Sequence, residues 1–260
     1  MHTWWAKSGE VLRGSDISQE PVTKNQKRIS ILIWIGLFIL IWETIAFIMG
    51  ATKRTPENFL PHLLQIITNF NTEIGDTTAI QMVLDNTGVT LLRSGLGYLV
   101  GTVVGFGLAI LMRMYKPIEK IAFPYLMMIQ MIPILGMAPI LLSVSDNIDT
   151  ARTMIAAILT FYPVATSTLA GLKSVEKEKL DLMHALNASK TDTYTKLLIP
   201  ASMPFFFTGL KVAAPMAITA SILVDTLQGS AGLGTILSQS LKGGFTRYVF
   251  WQIVFVSAII

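Results

Sequence analysis

The sequence predicts an all-α, polytopic membrane protein with about six transmembrane helices, and its composition is the first reason. Of the 260 residues, 52% are hydrophobic and only 14% are charged, whereas a soluble domain carries about 25% charged residues. The second reason is that the apolar residues gather into long runs, several of them near the ~20 residues needed to cross a bilayer. The first run begins at residue 29, too late and too long for a cleaved signal peptide.

The N-terminal part of the chain predicts a polar tail and a first span. Residues 1–28 form the tail, and residues 29–260 form the transmembrane domain. The first span covers residues 29–49 and carries Glu43, an unusual residue in lipid that lies near an interface or inside the bundle. Residues 50–87 are polar and include a short apolar stretch that predicts a surface-lying helix.

Residues 89–112 predict a second span with one bare face. Gly97, Gly101 and Gly105 recur every four residues, so they lie on one side of a helix. Small residues at this spacing let helix backbones approach closely in a membrane, where packing drives association. We expect the glycine stripe to face a neighbouring helix of the same chain.

The later spans are interrupted by prolines. Residues 121–144 predict the third span, 151–171 the fourth and 205–227 the fifth. A sixth begins near Tyr248 but has only 13 apolar residues before Ile260, which suggests a sequence cut short at its C-terminus. Each proline removes a backbone donor and frees a carbonyl that lipid cannot satisfy, so these helices should surround a cavity. Candidate path residues are Gln130, Met131, Tyr162, Thr219 and Asp225.

The distribution of positive charge predicts the orientation. The net charge is +4; the positive-inside rule explains this excess without nucleic acid. With the N-terminus inside, inner segments hold thirteen Lys and Arg residues and outer loops hold five. Residues 173–204 then lie in the cytoplasm, while Arg93 and Lys211 reach towards the interfaces. The chain has no cysteine, so disulfides and thiolate metal sites are excluded.

Residues 181–200, DLMHALNASKTDTYTKLLIP, are too polar to span a bilayer and too amphipathic for a slack loop. Leu180, Met183 and Leu186 follow a helical spacing, and Asn187 then breaks the helix. Ser189 with Asp192 is typical of a capping box that starts a second helix. Two short helices joined at a sharp corner form a shape that docks into a partner.

The sequence contains no motif for nucleotide binding, metal binding or catalysis. No GxxxxGK[ST] loop is present to hold ATP, and Gly232-Leu233-Gly234 lacks the third glycine of a dinucleotide site. The three histidines are scattered without metal-ligand spacing. No nucleophile–base pair stands out. The sequence therefore predicts a mechanical role, with no catalytic residue, no metal and no bound cofactor.

The 181–200 segment and its flanks resemble the permease subunits of binding-protein-dependent ABC importers. The family pattern is Glu-Ala-Ala, three residues, Gly, nine residues, Ile-x-Leu-Pro. Here Asp181 takes the Glu position, Asn187 the Gly position, and Pro200 the closing Pro. Asn tolerates the left-handed backbone that Gly supplies, so the corner survives the exchange. The flanking segments that match are TLLR at 90–93, TLAGLKSV at 168–175, FTGLK at 207–211 and GLG at 232–234.

The resemblance implies a type I importer bundle in the bacterial inner membrane. It implies a second permease subunit, identical or homologous, two separate ATPase subunits that hydrolyse ATP, and an extracytoplasmic solute-binding protein. The sulfonate, taurine, nitrate or bicarbonate, and pyrimidine-precursor permeases are the most similar group. The residues expected to couple to the ATPase are Leu180, Asp181, Met183, His184, Leu186, Asn187, Ser189 and Pro200.

Two other classes of protein compete with this interpretation. An ion-gradient-driven secondary transporter usually shows inverted repeats and buried charge pairs, and the sequence shows no convincing repeat. A non-transporting membrane scaffold or sensor has no need for several span prolines and a docking loop. An adjacent gene for a P-loop ATPase would discriminate among the three.

Overall fold

The computed structural model describes residues 24–53, 59–145, 147–243 and 247–260. Of the predicted tail, residues 1–23 therefore lie outside the described residues. The chain divides into two compact units, one ending at Leu63 and the other covering Leu64–Ile260. Each unit is described by itself.

The first unit is built on α1 (Lys24–Thr52), which contains the predicted first span. Glu43 lies in this helix and has specific partners. Its carboxylate lies 2.6 Å from Nδ1 of His62 and accepts a hydrogen bond from the backbone N–H of Leu63 at 2.9 Å. The indole of the preceding residue, Trp42, donates to the carbonyl of Pro61 at 3.0 Å. These bonds satisfy the carboxylate that made the span unusual.

The rest of the chain is almost entirely helical. A two-stranded antiparallel hairpin pairs Glu73 with Thr78 and Ile74 with Thr77, and Thr78 then forms a capping box with Gln81. In chain order the elements are α2 (Leu63–Thr68), a 3₁₀ turn (Asn69–Asn71), β1 (Glu73–Ile74), β2 (Thr77–Thr78), α3 (Ala79–Met114), α4 (Lys116–Met131), α5 (Ile134–Val144), α6 (Ile148–Lys173), α7 (Lys177–Ala185), α8 (Lys190–Asp192), a π-helical segment (Thr193–Leu198), α9 (Ile199–Gln228), α10 (Leu233–Leu241) and α11 (Arg247–Ile259).

Helices α3, α6 and α9 form the centre of the second unit. Helices α3 and α6 run parallel and touch along the glycine stripe, where Gly97 meets Ala156 and Gly105 meets Phe161. A Cβ atom at Gly101 would lie 2.5 Å from the carbonyl oxygen of Ala157. The stripe therefore faces α6 within the same chain, at a separation that only glycine permits.

The predicted third span is wrong as a single helix. The structure divides it into α4 and α5, with a break at Ile132 and Pro133. Ile132 has an extended backbone at ψ 121°, because the ring of a following proline disfavours the helical region for the preceding residue. Pro124 and Pro139 lie inside α4 and α5 without ending them.

Among the described residues, four helices are long and apolar enough to cross a membrane. They are α1, α3, α6 and the continuous stretch Lys190–Leu227 that includes most of α9. Helix α3 has 36 residues, about 54 Å at 1.5 Å per residue, well beyond the ~30 Å hydrocarbon layer. Helix α11, where the sixth span was predicted, has 13 residues.

Apolar clusters fix the two ends of the second unit. At one end, Met112, Leu172 and Leu198 are buried with their neighbours, beside residues 173–204. We call this the loop end. At the other, Val83, Leu233 and Ile253 are buried, beside the turn from Gly229 to Gly234. We call this the turn end. Helices α3 and α6 run from the turn end to the loop end, and α9 returns.

Candidate functional site

The loop end carries a helix, a corner and a second helix. Helix α7 ends in a Schellman motif, in which the N–H of Ala188 donates to Met183 and that of Asn187 donates to His184. Asn187 sits at the left-handed position with φ +51°, and is the one non-glycine residue with positive φ among those described. Asparagine is among the few residues that adopt this backbone at small cost, so it turns the chain where Gly would serve.

The second helix begins at Ser189. The Ser189 hydroxyl accepts the backbone N–H of Asp192 at 3.0 Å and donates to the Asp192 carboxylate at 2.5 Å. Lys196 pairs with the same carboxylate at 2.5 Å. The chain then passes through the π-helical segment and enters α9, where Pro200 occupies the first turn. Proline has no backbone N–H to donate, and Pro200 lies just after the helix changes from π-helical to α-helical hydrogen bonding, where the regular i→i−4 pattern is interrupted.

The loop buries one side of α7 and exposes the other. Leu180 is half-buried against the apolar cluster of the loop end, and Met183 is also half-buried. Leu186 is 69% exposed and Leu182 is 58% exposed, four residues apart on one face. Sequence reasoning missed Leu182, although its i, i+4 spacing to Leu186 could have shown it. Asp181, His184 and Lys190 are exposed as well, and His184 and Lys190 line a cavity that neither of these leucines enters.

Polar contacts fasten the base of the loop to the bundle. The guanidinium of Arg113, at the end of α3, donates to the carbonyl of Leu172 at 3.2 Å. Lys173 pairs with Glu119 of α4. The loop therefore leaves the membrane helices at a fixed point, with Leu182 and Leu186 exposed.

The turn end carries a charge cluster made of Arg93, Asp149, Arg152 and Asp225. Asp225 of α9 and Arg152 of α6 are 2.8 Å apart, with side chains 0% and 1% exposed. Asp149 accepts from Arg152 at 2.7 Å and from Arg93 of α3 at 2.9 Å. Arg93 also approaches Asp225 at 3.7 Å. The charges of these two cations and two anions cancel, and charged side chains are tolerated in a protein interior when they are paired in this way.

The cluster also holds the turn that follows α9. Arg93 donates to the carbonyl of Ala231 at 2.9 Å. Thr90 accepts the N–H of Leu233 at 2.9 Å, and Asn86 accepts the N–H of Gly232 at 2.6 Å. Gly232 has φ +115° and packs against the Asp225 carboxylate so closely that a Cβ there would overlap it. The backbone of the Gly-Leu-Gly segment therefore packs directly against the charge cluster.

Two sequence predictions change at this end. Arg93 was expected to reach for an interface, but it is mostly buried and bonded to Asp149 and Ala231. Arg152, one of the five basic residues assigned to the outer loops, lies inside the protein. Both errors have one cause: a residue count cannot detect an acidic partner more than fifty positions away.

The predicted path residues do not meet in one place. Gln130 and Met131 are exposed near the end of α4, and Tyr162 is half-buried near the loop-end cluster. Thr219 is exposed on α9 beside an apolar groove formed with α10 and α11, and its hydroxyl donates to Pro215. Asp225 is buried in the charge cluster, about 120° around α9 from Thr219.

The described residues contain no group of His, Cys, Asp and Glu that could hold a metal ion. The charge cluster is no exception, because its two carboxylates already face two guanidinium groups.

Comparison with known proteins identifies a membrane transport component. Residues 97–260 match the family described as binding-protein-dependent transport system inner membrane component, and the chain belongs to that family. The formylaminopyrimidine transport permease protein ThiX of Halalkalibacterium halodurans is 26% identical over 198 residues, covering 76% of this chain and 75% of ThiX. The nitrate import permease protein NrtB of Leptolyngbya laminosa is 25% identical, covering 65% of this chain and 61% of NrtB.

The fold agrees with this membership. A structure of the MetNI methionine ABC transporter in inward-facing conformations matches with a TM-score of 0.63 at 15% identity, covering 69% of this chain and 89% of that chain. At that identity the likeness concerns the fold alone, which is the type I ABC importer bundle. The chain is therefore an inner-membrane permease subunit and not an enzyme, and its family works with ATPase and binding-protein partners.

Proposed function

We propose that this permease subunit forms a translocation path and is driven by a separate ATPase subunit that binds the 173–204 loop. The observation that carries the proposal is the exposed pair Leu182 and Leu186 on a helix fixed at its base. Exposed leucines on a rigid helix are suited to a partner groove, where apolar area gives affinity. Asp181, the residue before Leu182, gives this exposed face a polar edge, and Asn187 and Ser189 hold the corner.

The orientation follows from the same proposal. The N-terminus and the loop lie in the cytoplasm, because the inner segments hold thirteen Lys and Arg residues and the outer loops hold four once the buried Arg152 is left out. ATP is bound and hydrolysed by the partner, and a second permease subunit completes the path. ATP-driven closure of the ATPases biases a two-state bundle between inward- and outward-facing forms. The family membership does not favour the ion-gradient alternative.

Replacing Leu186 with Glu tests the ATPase contact. A charge in the docked face costs about 1–3 kcal/mol if it is left unpaired, so ATPase co-purification should fall about tenfold or more while membrane insertion persists. The matched control is Leu241→Glu, a leucine that is 54% exposed at the turn end. Undiminished co-purification and uptake in the Leu186 variant would remove the loop from this role.

The transported solute is proposed to be small and polar or anionic: a sulfonate, taurine, nitrate or bicarbonate, or a pyrimidine vitamin precursor. The support is the naming of the relatives, one a formylaminopyrimidine permease and one a nitrate permease. Affinity screening of the cognate binding protein against these solutes tests the class. Tight binding of an unrelated solute, such as a sugar, would overturn it.

The path is proposed to run past Gln130, Met131, Tyr162 and Thr219, with Asp225 holding the turn end beside its outer mouth. Because the chain has no cysteine, single Cys variants at 130 and 219 can report access. A small hydrophilic thiol reagent should label both, at rates that change at least severalfold when ATP is trapped. Val103→Cys serves as a reference position, because Val103 is 70% exposed on α3 and lies outside the proposed path. Labelling only by lipid-soluble reagents, insensitive to nucleotide, would place the path elsewhere.

A further inference from the structure

A cavity of about 380 Å³ lies at the loop end, between the end of α3 and the inner side of α7 and α8. Three of its lining residues are basic, Arg113, His184 and Lys190, and none of the lining residues is acidic. This volume lies within the range of ordinary small-molecule sites. The cavity is separate from the exposed face formed by Leu182 and Leu186, neither of which lines it.

The two permanent cations of this cavity, Arg113 and Lys190, are not neutralised by the protein. Within the described ranges, neither of them forms an ion pair, and neither does His184. Two carboxylates at the loop end, Glu119 and Asp192, already form ion pairs with Lys173 and Lys196, respectively. Elsewhere the same chain pairs its buried cations with carboxylates, as at Arg152 and Asp225. An unneutralised basic cavity in such a molecule favours an anionic occupant.

The shape of the cavity narrows the class of anion. Arg113 is held in place through Nε, which donates to the carbonyl of Leu172 at 3.2 Å. Its remaining guanidinium donors can form the planar, paired bonds that suit phosphate oxygens. Tyr194 also lines the cavity, and Leu180 and Leu198 give its lining an apolar part. A phosphate that carries a small organic group matches both kinds of lining residue.

We propose that this cavity binds a phosphate-bearing anion, through Arg113, Lys190 and His184. Two sources carry that chemistry: the headgroup of an anionic phospholipid, or a soluble phosphate ester. Basic pockets beside membrane helices are typical sites for anionic headgroups. The bound anion ties α7 and α8 to the end of α3 and so fixes the angle at which the loop leaves the bundle.

The test uses the full chain purified in detergent. Retention of dioleoylphosphatidylglycerol and of dioleoylphosphatidylcholine is measured by native mass spectrometry, and the melting temperature is measured with and without glycerol 3-phosphate. The variants are Arg113→Gln and Lys190→Gln. Lys190 is exposed and forms none of the internal ion pairs of the described chain, so its variant should fold. Lys242→Gln, at the turn end, removes the same charge as a control.

We expect the parent and the control to retain phosphatidylglycerol over phosphatidylcholine, and each cavity variant to lose roughly tenfold in retention, the worth of one charge-assisted bond. Stabilisation by glycerol 3-phosphate that Lys190→Gln abolishes, without lipid selectivity, assigns the site to a soluble phosphate ester. Equal retention of both lipids with no stabilisation, or cavity variants that bind like the parent, would overturn the proposal. Either failure leaves the ATPase contact of Leu186 untouched.

Discussion

The two ends of this permease treat charge in opposite ways. At the turn end, Arg152 and Asp225 form a pair with side chains 1% and 0% exposed. At the loop end, Lys179 and Glu176 form a pair at 3.2 Å with side chains 58% and 67% exposed. The distances are similar, but the surroundings differ completely. The first pair is part of the core, and the second lies in solvent.

This difference distinguishes interactions that stabilise the fold from groups that are free to bind a partner. The charge cluster of the turn end is neutral, and it joins α3, α6, α9 and the turn that follows α9. Its groups are committed to one another. The loop end leaves leucines exposed and basic residues unpaired, so these groups are available to bind other molecules.

The largest effect should come from breaking the buried pair. Asp225→Asn removes one charge and leaves Arg152 buried beside a neutral group, which costs about 3–5 kcal/mol of unfolding free energy. The melting temperature in detergent measures it. Glu176→Gln is the matched control, because an exposed pair contributes about 0–1 kcal/mol. If the two variants melt together, the cluster does not stabilise the bundle.

A smaller effect is expected where α3 touches α6. Gly101→Ala places a Cβ atom 2.5 Å from the carbonyl oxygen of Ala157, and such overpacking typically costs about 1–3 kcal/mol. Gly107→Ala lies in the same helix with open space around it, so it should be neutral or gain about 0.5–1 kcal/mol from helix propensity. The melting temperature of Gly101→Ala should fall, whereas that of Gly107→Ala should stay level or rise. A shift of the same sign would mean that the helices separate to admit the methyl group.

The smallest effect is expected at the corner of the loop. Asn187→Ala puts a residue with a Cβ and no compensating side-chain bond at φ +51°, which costs about 1–2 kcal/mol locally. Asn187→Gly should be within a few tenths of the parent. Hydrogen exchange of the amides at 186–190 measures the local opening, with faster exchange only in the alanine variant. Equal exchange in both would show that the corner tolerates a different backbone.

Local patterns gave the sequence-based prediction its successes. The glycine period of α3 marked a packing face, because a four-residue repeat places side chains on one side of a helix. Asn187 and Ser189 marked a corner, because left-handed backbone and N-caps select few residue types. Family membership and the all-α membrane fold followed from such segments together.

Local sequence patterns could not predict contacts between residues that are distant in sequence. Arg93 and Asp149 form such a contact, and the residues around each of them give no sign of the other. Glu43 is a second case, because its partner His62 lies 19 residues further along the chain. The break at Ile132 is a different case: the proline signal was present, but a helix can bend at proline without ending, and only tertiary packing decides which occurs.

The glycine contact between α3 and α6 has a kinematic consequence. Each glycine forms a notch that receives backbone from the other helix, at three levels along their shared length. These close contacts prevent the two helices from sliding past each other, because a shift along the helix axis would push carbonyl oxygens of one helix into α-carbons of the other. Helices α3 and α6 are therefore one mechanical part, and the freedom to change shape belongs to helices joined without notches, α4 and α5 among them.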